Sequence, residues 1–162
     1  MYQRNSLVKR YLLYFFLISS VFSQGGKPKI SILDFTFENV NPKWQRACYN
    51  TLETSLIESG EFIVIEKNQR NQIMLESKFQ SSGICDVACA VEIGKLLGAE
   101  HLIIGEITGT YHFYKINIKI INVAEEDVQE EITMNVEPLL MGRPLLNGIE
   151  EAGREIIKRL KI

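Results

Sequence analysis

The stretch "YKINIKIINVAEEDVQEEITMNV" (residues 114–136) constrains this chain more than any other. Tyr114, Ile116, Ile118 and Ile120 alternate with Lys115, Asn117 and Lys119. A period of two sends the first set to one face of a strand and the second to the other. "AEED" turns the chain, which returns over residues 128–136. Ile132, Met134 and Val136 then point inward, and Glu131 lies on the polar face, where it can oppose the lysines. Antiparallel strands with one wet face carry this pattern. The other face needs a cover, and the sequence supplies one. Pro144 opens an amphipathic helix whose Leu145, Ile149, Ala152, Ile156 and Leu160 form one stripe.

The upstream half reads as further strands and helices. "KISILDFTF" (29–37) is apolar at odd and even positions alike, which predicts one strand buried on both faces. Asn41 and Pro42 cap a helix in which Trp44, Cys48, Leu52 and Leu56 recur every four residues, and Gly60 closes it. "EFIVIE" (61–66) is a second strand. Residues 68–80 form a weaker helix, broken at 81–83. Asp86 caps a third helix with Cys89, Ile93, Leu96 and Leu97 inward and Gly98 at its end. "HLIIGEITG" (101–109) is a third strand, and His101 and His112 both fall in strands. The expected order is β-α-β-α-α-β-β-β-α. The expected class is α/β (α+β), a mixed, mostly antiparallel sheet with helices packed mainly on one face. No internal linker interrupts residues 29–162, so one domain is expected there, after a flexible lead at 24–28.

The first 23 residues belong to a different class of segment. Arg4, Lys9 and Arg10 precede the apolar run "YLLYFFLISSVF", and Val21 and Ser23 stand at the −3 and −1 positions of a cleavage site before Gln24. That is the layout of a secretory signal peptide. The run is shorter than the roughly 20 apolar residues a spanning helix needs. Export is therefore expected, to the periplasm, with association to the outer membrane left open. Processing also changes the charge. Loss of three basic residues from 18 leaves 15 Lys+Arg against 20 Asp+Glu, a net of −5. An acidic chain without a basic stripe is a poor partner for nucleic acid, which is held through its phosphates.

Three cysteines allow one intramolecular pair and one thiol left over. Cys85 and Cys89 flank the expected entrance of the third helix. A bridge needs Cα atoms about 4.4–6.8 Å apart, which this spacing meets when Cys85 lies outside the helix. The spacing departs from the C-x-x-C of thiol–disulfide catalysts. A structural zinc site wants four ligands, and only Cys48, His101 and His112 could add to the pair. A structural disulfide is the expectation, and thiol–disulfide exchange through Cys85 and Cys89 is the alternative. Cys48 reads as a small buried hydrophobe. No glycine-rich phosphate loop follows the first strand, and no G-x-S-x-G elbow is present. The pairs Glu125–Glu126 and Glu130–Glu131 read as solvated charge, and Glu92 with Lys95 as an exposed helical pair. No catalytic residue, cofactor, metal or small-molecule substrate is inferred from these residues.

Four stretches carry a resemblance: "ISILDF" (30–35), "LIESGEFIVIEKNQ" (56–69), "CDVACAVEIGKLLGAEHLIIGEI" (85–107) and "INIKIINVAEEDV" (116–128). Together they are similar to the CsgG family of curli secretion and to the related LpoB-like periplasmic domains, which activate penicillin-binding proteins. The resemblance implies an α/β envelope domain without an active site that acts by binding an envelope protein or itself. Gln24 stands where the curli channel protein carries a lipidated cysteine, and no extra alternating segments build a membrane barrel, so pore formation is not implied here. The mature protein is expected to begin at Gln24. Intact-mass measurement checks this, and a mass that retains residues 1–23 would indicate an anchor instead.

Overall fold

The computed structural model describes residues 26–76, 85–137 and 143–161. Ser23 and Gln24, the expected cleavage position, lie outside them. The elements are β1 (Lys29–Ile32), β2 (Thr36–Glu38), α1 (Pro42–Ser59), β3 (Ile63–Ile65), α2 (Lys67–Glu76), α3 (Val87–Leu97), β4 (His101–Gly109), β5 (Tyr114–Asn122), β6 (Asp127–Val136) and α4 (Pro144–Leu160). The strands form one mixed sheet in the order β3-β1-β4-β5-β6, with β2 also beside β4. β1 runs parallel to β3 and β4, and β2 parallel to β4; the long β4–β5 and β5–β6 ladders are antiparallel.

The expected single strand over residues 29–37 is two strands, and the reason is one extra residue. Ile32 pairs with Ile103, and Thr36 pairs with Glu106. Four steps on one side match three on the other, so the side-chain phase flips in between, as it does at a β-bulge. Ile30 and Ile32 before the break, and Phe35 and Phe37 after it, therefore join the same core cluster, while Leu33 joins the other. β1 itself is buried on both faces, as expected, with Ile30 and Ile32 on one side and Ser31 and Leu33 on the other; it is the continuity that fails, because the switch of phase starts a second strand.

Helices cover both faces. The chain passes from β1 outward to β3 through α1, then back across β1 to β4 through α2 and α3. Right-handed crossovers in opposite directions put the two connections on opposite sides. The two long helices, α1 and α4, share a face, where Cys48, Leu52, Leu56, Ile149 and Ile156 meet Ile103, Ile116 and Ile118. The shorter α3 lies on the other face, with Ile93 and Leu97 against Leu102 and Ile121. Leu96, expected inward, is exposed. Helix ends follow the sequence: the Asn41 side chain accepts from Lys43 N–H, the Asp86 side chain from Cys89 N–H, and Gly60 and Gly98 adopt the left-handed caps.

Gly105 in β4 ties the break to the core. A Cβ there would stand 2.7 Å from the Phe35 ring, so the ring occupies the space where a side chain would be. Gly105→Ala is expected to destabilise the protein by about 1–3 kcal/mol through overpacking, read as a lower urea midpoint with an unchanged slope.

Candidate functional site

The extra residue leaves Asp34 outside the ladder, at the carboxyl ends of the parallel strands. The chain switches faces there, and open α/β sheets form crevices at such points. Asp34 is 64% exposed in its side chain, yet it is not free. Lys67 Nζ lies 2.6 Å from its Oδ1 and Arg70 Nη2 3.1 Å away. Both cations come from α2, one turn apart, so they reach the same carboxylate. Arg70 is 2% exposed and packs inside the fold. Its Nη1 donates to the Ile32 carbonyl and, at 3.3 Å, to Tyr49 Oη. Tyr49 Oη donates to Glu53 at 2.9 Å, and Glu53 accepts Lys67 N–H at 3.0 Å. The end of β1 loses ladder bonds where the bulge begins, and this network supplies partners for it. Burial pushes the Tyr49 hydroxyl above its ordinary value, against the nearby Arg70 charge.

Two depressions share Asp34. One, of about 250 Å³, lies between the entrance of α3 and the sheet, with Thr36, Cys85, Asp86, Ile104 and Lys119 in its wall. The other, of about 500 Å³, opens on the α1 side beside Phe35, Phe37, Arg46, Tyr49 and Lys67. Two carboxylates in the wall of the first are committed: Asp34 to its two cations, Asp86 to the helix cap. Burial raises the Asp34 carboxyl, but the Lys67 hydrogen bond and the Arg70 charge outweigh it and hold the group below its ordinary value near 3.8. A carboxylate held ionised this way is a weak proton acceptor. The arrangement positions backbone rather than assembling a nucleophile with a base.

Cys85 and Cys89 come together at this wall, with Cα atoms 5.3 Å apart, a separation that a disulfide spans. Cys48 sits across the sheet, in the α1–α4 layer. It is fully buried, and burial pushes its thiol up to about 12. The two histidines also stay apart from the pair. His101 opens β4, as expected; burial lowers its pKa, against the nearby charges of Glu100 and Glu125. His112 is not in a strand. It belongs to the β4–β5 turn, edge-on to Tyr111 at 5.3 Å. Among the described residues no group of three His, Cys, Asp or Glu stands together as a metal site.

Charge pairing differs from the expectation in one place. Lys95 reaches Glu126 in the β5–β6 turn rather than Glu92. Glu131 does oppose Lys119 in the ladder, and Glu130 is held by Arg159 of α4 at 2.8 Å. The network around Arg70 was not visible in the sequence. Asp34 inside an apolar run was its one signal; nothing in "KNQRNQIMLE" marks Arg70 as buried.

A family model described as curli production assembly/transport component CsgG matches residues 14–120. No curated protein matches the sequence. Among solved structures, TolB from Acinetobacter baumannii superposes with a TM-score of 0.60 at 18% identity over 84% of this chain, which spans 29% of that one. The LpoB C-terminal domain from Escherichia coli gives 0.59 at 12% identity, covering 75% of this chain and 93% of its own. A PelC dodecamer from Paraburkholderia phytofirmans gives 0.54 at 10% identity, covering 84% and 88%. These likenesses show a shared fold.

Two variants test the Asp34 frame. Asp34→Asn leaves Arg70 buried without its counter-ion and is expected to cost about 1 kcal/mol, limited by solvent screening of the exposed carboxylate. Arg70→Ala also strips the Ile32 carbonyl of a donor and is expected to cost about 3 kcal/mol. Because the folded Asp34 pKa lies below the unfolded one, its contribution is complete above about pH 4 and is lost as pH falls through the folded value. Urea melts across pH 2–7 check this: the difference between the parent and Asp34→Asn should vanish at the acid end.

Proposed function

Because the chain belongs to the CsgG family, we propose that it is a non-catalytic accessory protein of the bacterial cell envelope that acts by binding other proteins. The family match over residues 14–120 carries this reading. The commitment of Asp34, Arg70, Lys67 and Asp86 to holding backbone and helix ends supports it. Among the described residues no helix is long and apolar enough to cross a membrane. In this reading residues 1–23 direct export and are removed between Ser23 and Gln24. Residues 29–162 then work in the periplasm as a single domain without a cofactor, in curli-type secretion and assembly or in activation of a cell-wall synthase. The Cys85–Cys89 disulfide fixes the entry of the chain into α3. Its loop is small, so its stabilisation sits at the low end of about 0–5 kcal/mol.

Cross-linking in intact cells, followed by mass spectrometry, tests the partner. A specific envelope protein joined to this chain is the expected result. Insulin reduction tests the enzymatic alternative. The purified protein should show no turnover, and Cys89→Ser should leave that baseline unchanged. Turnover that Cys89→Ser abolishes would assign thiol–disulfide exchange instead.

A further inference from the structure

β1 and β2 pair with β4 along the same flank, but only β1 has a second neighbour, β3. β3 stops at Ile65, level with Ser31, and the chain turns into α2. Arg70 fills the next place by taking the Ile32 carbonyl. Past Arg70, no strand among the described residues lies along the outer side of β2. The direction of its backbone groups follows from the ladder. Leu33 N–H donates to Ile103 O, so the odd-numbered residues of β4 turn their groups toward this flank. Thr36 and Glu38, in register with Glu106 and Thr108, then bond to Gly105, Ile107 and Gly109, and the Thr36 hydroxyl also reaches Gly105 O at 3.4 Å. The N–H and C=O of Phe37 therefore point outward, and no described residue takes either group.

The depression of about 500 Å³ on the α1 side lies against this open edge. Phe37 and Tyr49 give it apolar surface, and Arg46 and Lys67 stand in its wall. Arg46 is exposed and makes no ion pair or hydrogen bond among the described residues. Lys67 gives one donor to Asp34 and keeps others. The wall thus sets two cations against one carboxylate, a net of +1, while Arg70 and Glu53 behind it cancel. Glu38 falls on the other face by the period of two, and the first turn of α1 holds no acidic side chain. This is a positive spot on a chain that carries 15 Lys+Arg against 20 Asp+Glu from Gln24 onward.

We propose that the outer edge of β2, with Arg46 and Lys67 beside it, is a docking slot for a short extended segment of a partner protein that carries Asp or Glu. Two separate features select this occupant. An unpaired strand edge recognises polypeptide backbone, which a lipid headgroup or a free phosphate does not offer. The cations then favour acidic side chains among polypeptides. The segment pairs its backbone with the Phe37 N–H and C=O. Its alternate side chains fall on the α1 face, where Arg46 can take a carboxylate through its planar fork. β2 has 3 residues, so the paired part is short. This proposal rests on the reading of the chain as a protein-binding module and names the surface and the chemistry of its partner.

The test uses the mature chain and three labelled seven-residue peptides, in which valine alternates with glutamate, glutamine or lysine. Fluorescence anisotropy should show the glutamate peptide binding about ten-fold tighter than the glutamine one, with the lysine peptide weakest. In the saturated complex the Phe37 amide should become protected from hydrogen exchange, while that of Glu38, already bonded within the sheet, changes little. Arg46→Glu should weaken the glutamate peptide about ten-fold with an unchanged melting temperature, since Arg46 holds nothing in the fold. Equal binding of the glutamate and glutamine peptides, an unprotected Phe37 amide, or Arg46→Glu without effect would overturn the proposal. Phosphatidylglycerol vesicles that bind the parent but not Arg46→Glu would overturn it too, by giving the slot to lipid. So would a dimer of the parent that Arg46→Glu dissociates, by giving it to a second copy. An envelope partner that still cross-links to Arg46→Glu in cells would sink this slot and leave the wider reading standing. Peptide binding by these rules without any partner captured in cells would support the slot alone.

Discussion

One residue too many in the first strand governs the rest of the molecule. Between Ile32 and Thr36 the chain takes four steps while β4 takes three, and the fold absorbs the difference rather than slipping register. A slip would turn Phe35 and Phe37 out to water. Instead Asp34 is expelled, and Arg70 crosses from α2 to hold both it and the freed carbonyl of Ile32. A guanidinium suits this position because its planar fork can serve a carbonyl, a hydroxyl and a carboxylate at once. A buried charge of this kind is costly without partners, so α2, β1 and α1 are tied into one arrangement.

The strand order explains how the layers divide. β1 lies between β3 and β4, and the chain leaves it in one direction and returns across it in the other. α1 on one face and α3 on the opposite face follow from that path. α3 covers only part of its face. Beyond it, Thr36, Glu106, Asn117 and Thr133 form a polar row across four strands.

Elements with a strong local period were legible in advance. The β5–β6 hairpin and α4 appear where alternation and the four-residue stripe put them, and Asn41, Asp86, Gly60 and Gly98 cap as their side chains or lack of one require. Misreadings arose where two signals overlap. In "KISILDFTF" a phase switch splits what reads as one strand, although its first half is buried on both faces as expected. In α3, Leu96 continues the apolar pattern yet looks outward, because Ala90, Val91 and Gly94 fill the contact instead. Gly94 has no side chain, and a Cβ there would overlap Val123, so the helix rides closer to the sheet than the pattern of large residues implied. His112 was expected in a strand, whereas Thr110 and Phe113 close the hairpin around it.

The sequence by itself determined the sheet with its wet face, the amphipathic cover and the caps, because each depends on neighbours within a few residues or on a simple period. It also placed Cys85 and Cys89 at the same helix entrance. Tertiary structure alone decided that Asp34 leaves the ladder, that Arg70 is buried to hold it, and that β2 pairs with β4 while no described strand lies along its outer edge. Those outcomes join residues more than twenty positions apart, and no local pattern records a partner at that distance. They were settled by which backbone groups were left without a hydrogen bond once the strands had paired.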